Sequence, residues 1–77
     1  VSKIFVNVIV KCTTEGELTP LRIVWTDGKE YEIDRVLDIR RAASLKGGGA
    51  GLRYLCRIKG QKKYLWLEEN KWFVEGK

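Results

Sequence analysis

The segment SLKGGGAGLR, Ser44 to Arg53, holds four of the chain's eight glycines and sets Lys46 and Arg53 beside them. Glycine-rich loops bind phosphate where backbone N–H groups and a lysine converge at the start of a helix. The nucleotide-hydrolase form requires Gly-x-x-x-x-Gly-Lys-Ser/Thr leading into that helix. Here Lys46 precedes the glycines, no Ser or Thr follows them, and LRYLCRI after them alternates like a strand. The dinucleotide-binding pattern also needs a following helix and fails for the same reason. The segment therefore reads as a flexible connection that leaves Lys46 and Arg53 to meet a charged partner.

Catalytic chemistry has little to work with. The chain has no histidine, so a base would have to be a carboxylate, a lysine or a perturbed cysteine. The carboxylates face basic or polar neighbours in the expected strands. Asp38 stands alone among cations as a charge partner for Arg35, Arg40 or Arg41. No pair converges, and the reading is non-enzymatic. Cys12 and Cys56 lie on apolar strand phases and read as reduced, buried thiols, since free cysteine packs as a small hydrophobe. Without histidine or Cys-x-x-Cys spacing, neither a metal nor another cofactor is expected.

Charge carries more information. Residues 35–63 contain nine basic side chains (Arg35, Arg40, Arg41, Lys46, Arg53, Arg57, Lys59, Lys62 and Lys63) against one acid, Asp38. The flanking segments are slightly acidic. Such segregation points to a positive face and an anionic partner. Tyr64 and Trp66 share a strand phase that faces Arg53 and Arg57, and interleaved cations and aromatic rings suit single-stranded nucleic acid. The expected interface is therefore Arg40, Arg41, Lys46, Arg53 and Arg57 on phosphates, with Tyr64 and Trp66 stacking on bases. The competing class is an SH3-like protein-interaction module that takes a peptide or partner protein on the same patch.

These side chains must be positioned by strands. In VSKIFVNVIVKC, Val6, Val8, Val10 and Cys12 share one phase while Phe5 and Ile9 share the other. This describes a strand covered on both sides or bent across a barrel, not a signal peptide. LRIVW and KEYEID flank Thr26-Asp27-Gly28. A type I turn with Gly28 as a left-handed bulge sets Ile23 opposite Tyr31, Leu21 opposite Ile33 and Arg22 opposite Glu32, sorting apolar with apolar. RVLDIRRAASLK fits helical spacing at Val36, Ile39, Arg40 and Ala43, but the odd phase of Tyr31 and Ile33 resumes at Leu37 and Ile39. It reads as a long strand bending near Arg35, then an irregular or briefly helical stretch. LRYLCRI and KKYLWLE flank KGQK, where Gly60 suits the first position of a type II′ turn. EENK turns once more into a short closing strand, WFVE. Trp25, Tyr31 and Tyr54 fall on interior faces.

The expected architecture is one mainly β domain over residues 1–77, a small SH3-like antiparallel barrel or strongly bent sheet of about five strands. No run approaches the ~20 apolar residues of a membrane helix, which points to a cytoplasmic protein with no membrane partner.

The pattern P-L-R-I-V-W, G-K-x-Y-x-I-D-R-V-L-D-I-R-R, R-Y-x-C-R-I, Y-L-W-L-E and W-F-V-E covers most of the chain. It resembles a group of small uncharacterised bacterial proteins, some of them encoded near error-prone DNA polymerase genes. Trp25, Tyr31, Val36-Leu37-Asp38 and Trp72 carry the likeness. The resemblance implies no catalytic residues. It tilts the expected partner toward DNA and toward a repair-associated protein, through gene proximity alone.

Overall fold

The computed structural model describes residues 2–41 and 51–76. Eight strands follow in chain order: β1 (Ser2–Phe5), β2 (Asn7–Cys12), β3 (Leu18–Val24), β4 (Glu30–Glu32), β5 (Arg35–Arg41), β6 (Leu52–Ile58), β7 (Gln61–Glu68) and β8 (Lys71–Gly76). They form two antiparallel sheets, one of five strands in the order β1-β8-β7-β6-β5 and one of three in the order β2-β3-β4. The helical alternative for residues 35–41 does not occur. Its continuation over 42–50, with Lys46 and three of the clustered glycines, lies outside the described residues.

There are more strands than expected because the two long runs each change sheet. At the first bend the Val6 amide donates to the Trp72 carbonyl at 3.1 Å, and the Val6 side chain drops into the core. At the second bend the Ile33 amide donates to Leu21 in the small sheet at 3.0 Å, and the next amide, Asp34, donates to Arg57 in the large sheet at 2.8 Å. Backbone pairing therefore passes from one sheet to the other within one residue. This avoids buried unpaired amides, which would cost as much as a lost hydrogen bond.

The turns follow local backbone chemistry. The Gly28 amide donates to Trp25 at 2.9 Å, and the Trp25 amide donates to Lys29 at 2.7 Å. Gly28 sits at φ 88°, the left-handed position of a bulge after a type I turn. Ile23 consequently pairs with Tyr31 and Arg22 with Glu32. Leu21 keeps its expected place opposite Ile33, whose amide donates to its carbonyl, but it is not buried. The β2–β3 register shifts between Ile9–Arg22 and Val10–Pro20, so Leu21 has no partner in β2. It stays 44 % exposed although its carbonyl accepts from Ile33. Pro20, which has no amide to offer a ladder, sits at this bulge.

The β6–β7 turn also moves. Ile58 pairs with Gln61, so the loop is Lys59-Gly60, with both residues at positive φ (51° and 76°). That is a type I′ turn, whose twist matches the strands. It replaces the expected II′ turn at Gly60-Gln61. The register changes by two residues, so every side chain keeps its expected face.

The core lies between the sheets. Tyr54, Cys56 and Leu65 from the large sheet meet Ile23 from the small sheet and Val6 and Ile33 from the two bends. The Tyr54 hydroxyl donates to the Leu18 carbonyl at 2.9 Å, tying β6 to β3. Burial pushes both the Tyr54 hydroxyl and the Cys56 thiol upward, the latter to about 11. The two cysteines differ. Cys56 is buried as expected, whereas Cys12, the last residue of β2, is exposed. Gly51 answers part of the glycine question: a Cβ there would stand 2.5 Å from Glu68 Cγ and 2.9 Å from the Leu67 carbonyl oxygen. Close approach to β7 explains this glycine.

Candidate nucleic-acid interface

Strand register decides which basic residues share a face. Directly paired residues in antiparallel strands project to the same side. Arg40 pairs with Arg53, and Arg53 pairs with Trp66. Trp66 pairs with Phe73 and Phe73 with Phe5, completing a row across all five strands. A neighbouring row holds Asp38, Leu55 and Tyr64, and the next holds Arg35, Arg57 and Lys62. All of these side chains project from the face opposite Tyr54, Cys56 and Leu65.

Arg35, Arg40, Arg53, Arg57 and Lys62 thus come together on three adjacent strands. From Arg53 to Arg57 the patch is roughly 13 Å long, taking about 3.3 Å per residue. Only Arg40 on this patch has a described ion pair: its Nε donates to Asp38 Oδ2 at 2.7 Å. The Arg35–Arg57–Lys62 row places three cations opposite one another, and none of them takes part in a described ion pair. Like charges directly opposed across a ladder destabilise it.

The aromatic residues divide. Tyr64 is 48 % exposed, and the Arg53 guanidinium lies 4.5 Å from its ring centroid. Trp66 is only 6 % exposed. Its ring stacks on Phe73 at 6.2 Å with 5° between planes, and Phe5 meets Phe73 edge-on at 5.7 Å. Lys3 Nζ caps Phe73 at 4.7 Å and bonds Glu68 at 3.0 Å. Trp66 therefore serves as part of a second apolar layer, and its ring is not open to a base. Burying that much aromatic area is worth more to a small domain than leaving it exposed. The accessible rings on this face are Tyr64 and Phe5, which is 54 % exposed.

One expected member leaves the site and one is not described. Arg41 pairs with Leu52 and so projects to the core-facing side of the sheet, because a β5 residue adjacent to Arg40 must point the other way. Lys46 lies outside the described residues. Arg35, Lys62 and Phe5 were not among the expected site residues, yet they join it. For Lys62 the signal was its shared parity with Tyr64. Arg35 could be placed only once the bend and the β5 bulge were known, since the register shifts between Val36 and Asp38 and leaves Leu37 unpaired.

Among the described residues no group of three His, Cys, Asp or Glu side chains could hold a metal ion. No helix there is long and apolar enough to cross a membrane. What the face can do is hold anions with arginine forks and lay planar groups on Tyr64. The chain matches no family model, no curated protein and no solved structure with which it was compared.

Proposed function

We propose that this protein is a non-catalytic binding module that takes single-stranded nucleic acid on the Arg/Tyr face of its five-stranded sheet. In this reading the two bent strands bring the sheets into a small SH3-like barrel, working in the cytoplasm beside a repair-associated protein. Arg35, Arg53, Arg57 and Lys62 contact phosphates, Arg40 contributes alongside Asp38, and a base stacks on Tyr64. The observation that carries the reading is the like-charge row Arg35–Arg57–Lys62. Three opposed cations cost stability when the face is empty, and a bound phosphate chain converts that cost into attraction. Arg53 held over Tyr64 adds a site where cation and ring meet one nucleotide together.

The test is fluorescence anisotropy with a labelled oligothymidylate of about 12 nucleotides, titrated over a series of salt concentrations. Four phosphates neutralised would give a log–log salt slope of about −3 on a single strand. Absence of binding at low salt by folded protein would end the proposal. Salt-insensitive binding of an uncharged peptide on the same face would put a protein-interaction module in its place.

A further inference from the structure

A second surface feature borders the Arg/Tyr face at Lys62 and Tyr64 and opens between the sheets. Between the sheets a half-open cleft of about 710 Å³ remains, within the size range of small-molecule sites. Its floor is Ile4, Ile23, Leu65 and Val74, and Trp25 and Tyr31 of the β3–β4 hairpin form its wall. The sequence assigned both aromatics to the interior. Both keep that side, Tyr31 opposite buried Ile23 and Trp25 packed against the core, but they stand at the edge of an apolar space and each is only partly buried.

The cleft is mostly positive, with Glu75 the acid in its lining. Lys59, Lys62 and Lys63 all line it. Lys59 Nζ lies 5.0 Å from the Tyr31 ring centroid. Lys63 pairs with Cys56, which has no exposed surface, so its side chain projects from the core-facing side of β7. None of the three lysines takes part in a described ion pair. An ammonium beside an apolar floor, with no carboxylate partner, favours an occupant that brings its own negative charge. Glu75 also lines the cleft and already has an interaction of its own. Besides Glu75, the side-chain acceptors in the lining are Gln61 and the tyrosine hydroxyls. Apolar walls with donors at one end suit a chain molecule ending in an acid.

We infer that the cleft between the sheets binds an amphipathic anion, an apolar chain carrying a terminal carboxylate, with Lys59 and Lys63 on the head group and the Ile23–Leu65 floor against the chain. The head-group contacts, Lys59 and Lys63, are not among the residues proposed to hold nucleic acid, so the two readings are tested separately although Lys62 and Tyr64 border both sites.

The probe is decanoate, with decanol as the uncharged control, both below micelle formation and titrated by calorimetry. Methyl resonances of Ile4, Ile23, Leu65 and Val74 report the location. Saturable one-to-one binding of decanoate is expected, about tenfold tighter than decanol, as one charge-assisted hydrogen bond provides. A Lys59→Gln/Lys63→Gln variant should bring decanoate down to the decanol level and leave decanol unchanged. Both substitutions are at exposed side chains, and retention of the wild-type methyl spectrum verifies the fold. The inference is overturned by non-saturable decanoate binding, by equal affinity for decanol, by methyl shifts outside the cleft, or by a variant that binds decanoate as wild type does.

Discussion

Replacing Arg57 by glutamate should make the protein more stable and a poorer binder at the same time. Arg57 lies directly opposite Arg35 on one side and Lys62 on the other, on the same sheet face. Cross-strand charge pairs are worth roughly 0.2–1 kcal/mol each, favourable or unfavourable by sign. Arg57→Glu removes two unfavourable pairs and creates two favourable ones. The sum, discounted for the exposure of these side chains and for salt, is a stabilisation of about 1 kcal/mol. For a domain of this size that raises Tm by about 4–8 °C. Binding should move the other way. Losing one phosphate contact flattens the salt slope by about 0.7 on a single strand, and the new carboxylate repels the remaining phosphates. Thermal unfolding followed by circular dichroism, paired with anisotropy on the same preparations, reads both effects. A variant with a lower Tm and undiminished binding would refute the reasoning, because it would show that Arg57 is structural and that the row carries no unrelieved charge. At high salt the Tm difference should shrink.

Tyr64→Ala should weaken oligothymidylate binding by about 1–3 kcal/mol with little change in salt slope, as loss of a stacking platform does; a changed slope with unchanged affinity at low salt would argue against stacking. Tyr54→Phe removes the hydroxyl that donates to the Leu18 carbonyl, so chemical denaturation should show a loss of roughly 1–2 kcal/mol. A neutral result would mean that this tie between the sheets contributes nothing. Cys56 gives the pH dependence. Burial raises its thiol from 9.0 to about 11, so the unfolded chain ionises first as pH rises. Its contribution is intact below pH 9.0 and is lost as pH climbs towards about 11, a decline of roughly 2–3 kcal/mol at about 1.4 kcal/mol per unit. Urea denaturation across that window should show a shallower decline for Cys56→Ala than for wild type, and parallel curves would rule out the thiol as the cause.

The legible parts of this fold were those decided between neighbours in sequence. Period-two alternation in LRYLCRI and KKYLWLE assigned Arg53, Arg57 and Tyr64 to one face, and that assignment survived a two-residue shift of the turn because parity did not change. The bulge at Gly28 followed from sorting Ile23 with Tyr31. The missed parts depended on partners distant in sequence. Trp66 is covered because Phe73 and Phe5 arrive beside it from β8 and from β1, and nothing local to KKYLWLE signals their arrival. The interior assignment of Trp25 and Tyr31 failed to anticipate the cleft, because an unfilled space between two sheets depends on where both strands bend. The β5 bulge at Leu37 reset the phase after Ile33, so Val36 and Ile39 pair with Cys56 and Tyr54. Leu37 and Ile39, which the sequence pattern set in phase with the core, remain 39 % and 48 % exposed.

The central claim is that nucleic acid lies on the face shared by Arg35, Arg53, Arg57, Lys62 and Tyr64. Amide chemical-shift mapping tests it most directly, with isotope-labelled protein titrated with oligothymidylate at low salt. Progressive shifts are expected along the Arg53–Arg57 and Gln61–Tyr64 stretches and at Arg35 and Arg40, with β2 and β3 unmoved. Shifts centred on β2 and β3, or a spectrum unchanged at saturating oligonucleotide, would contradict it.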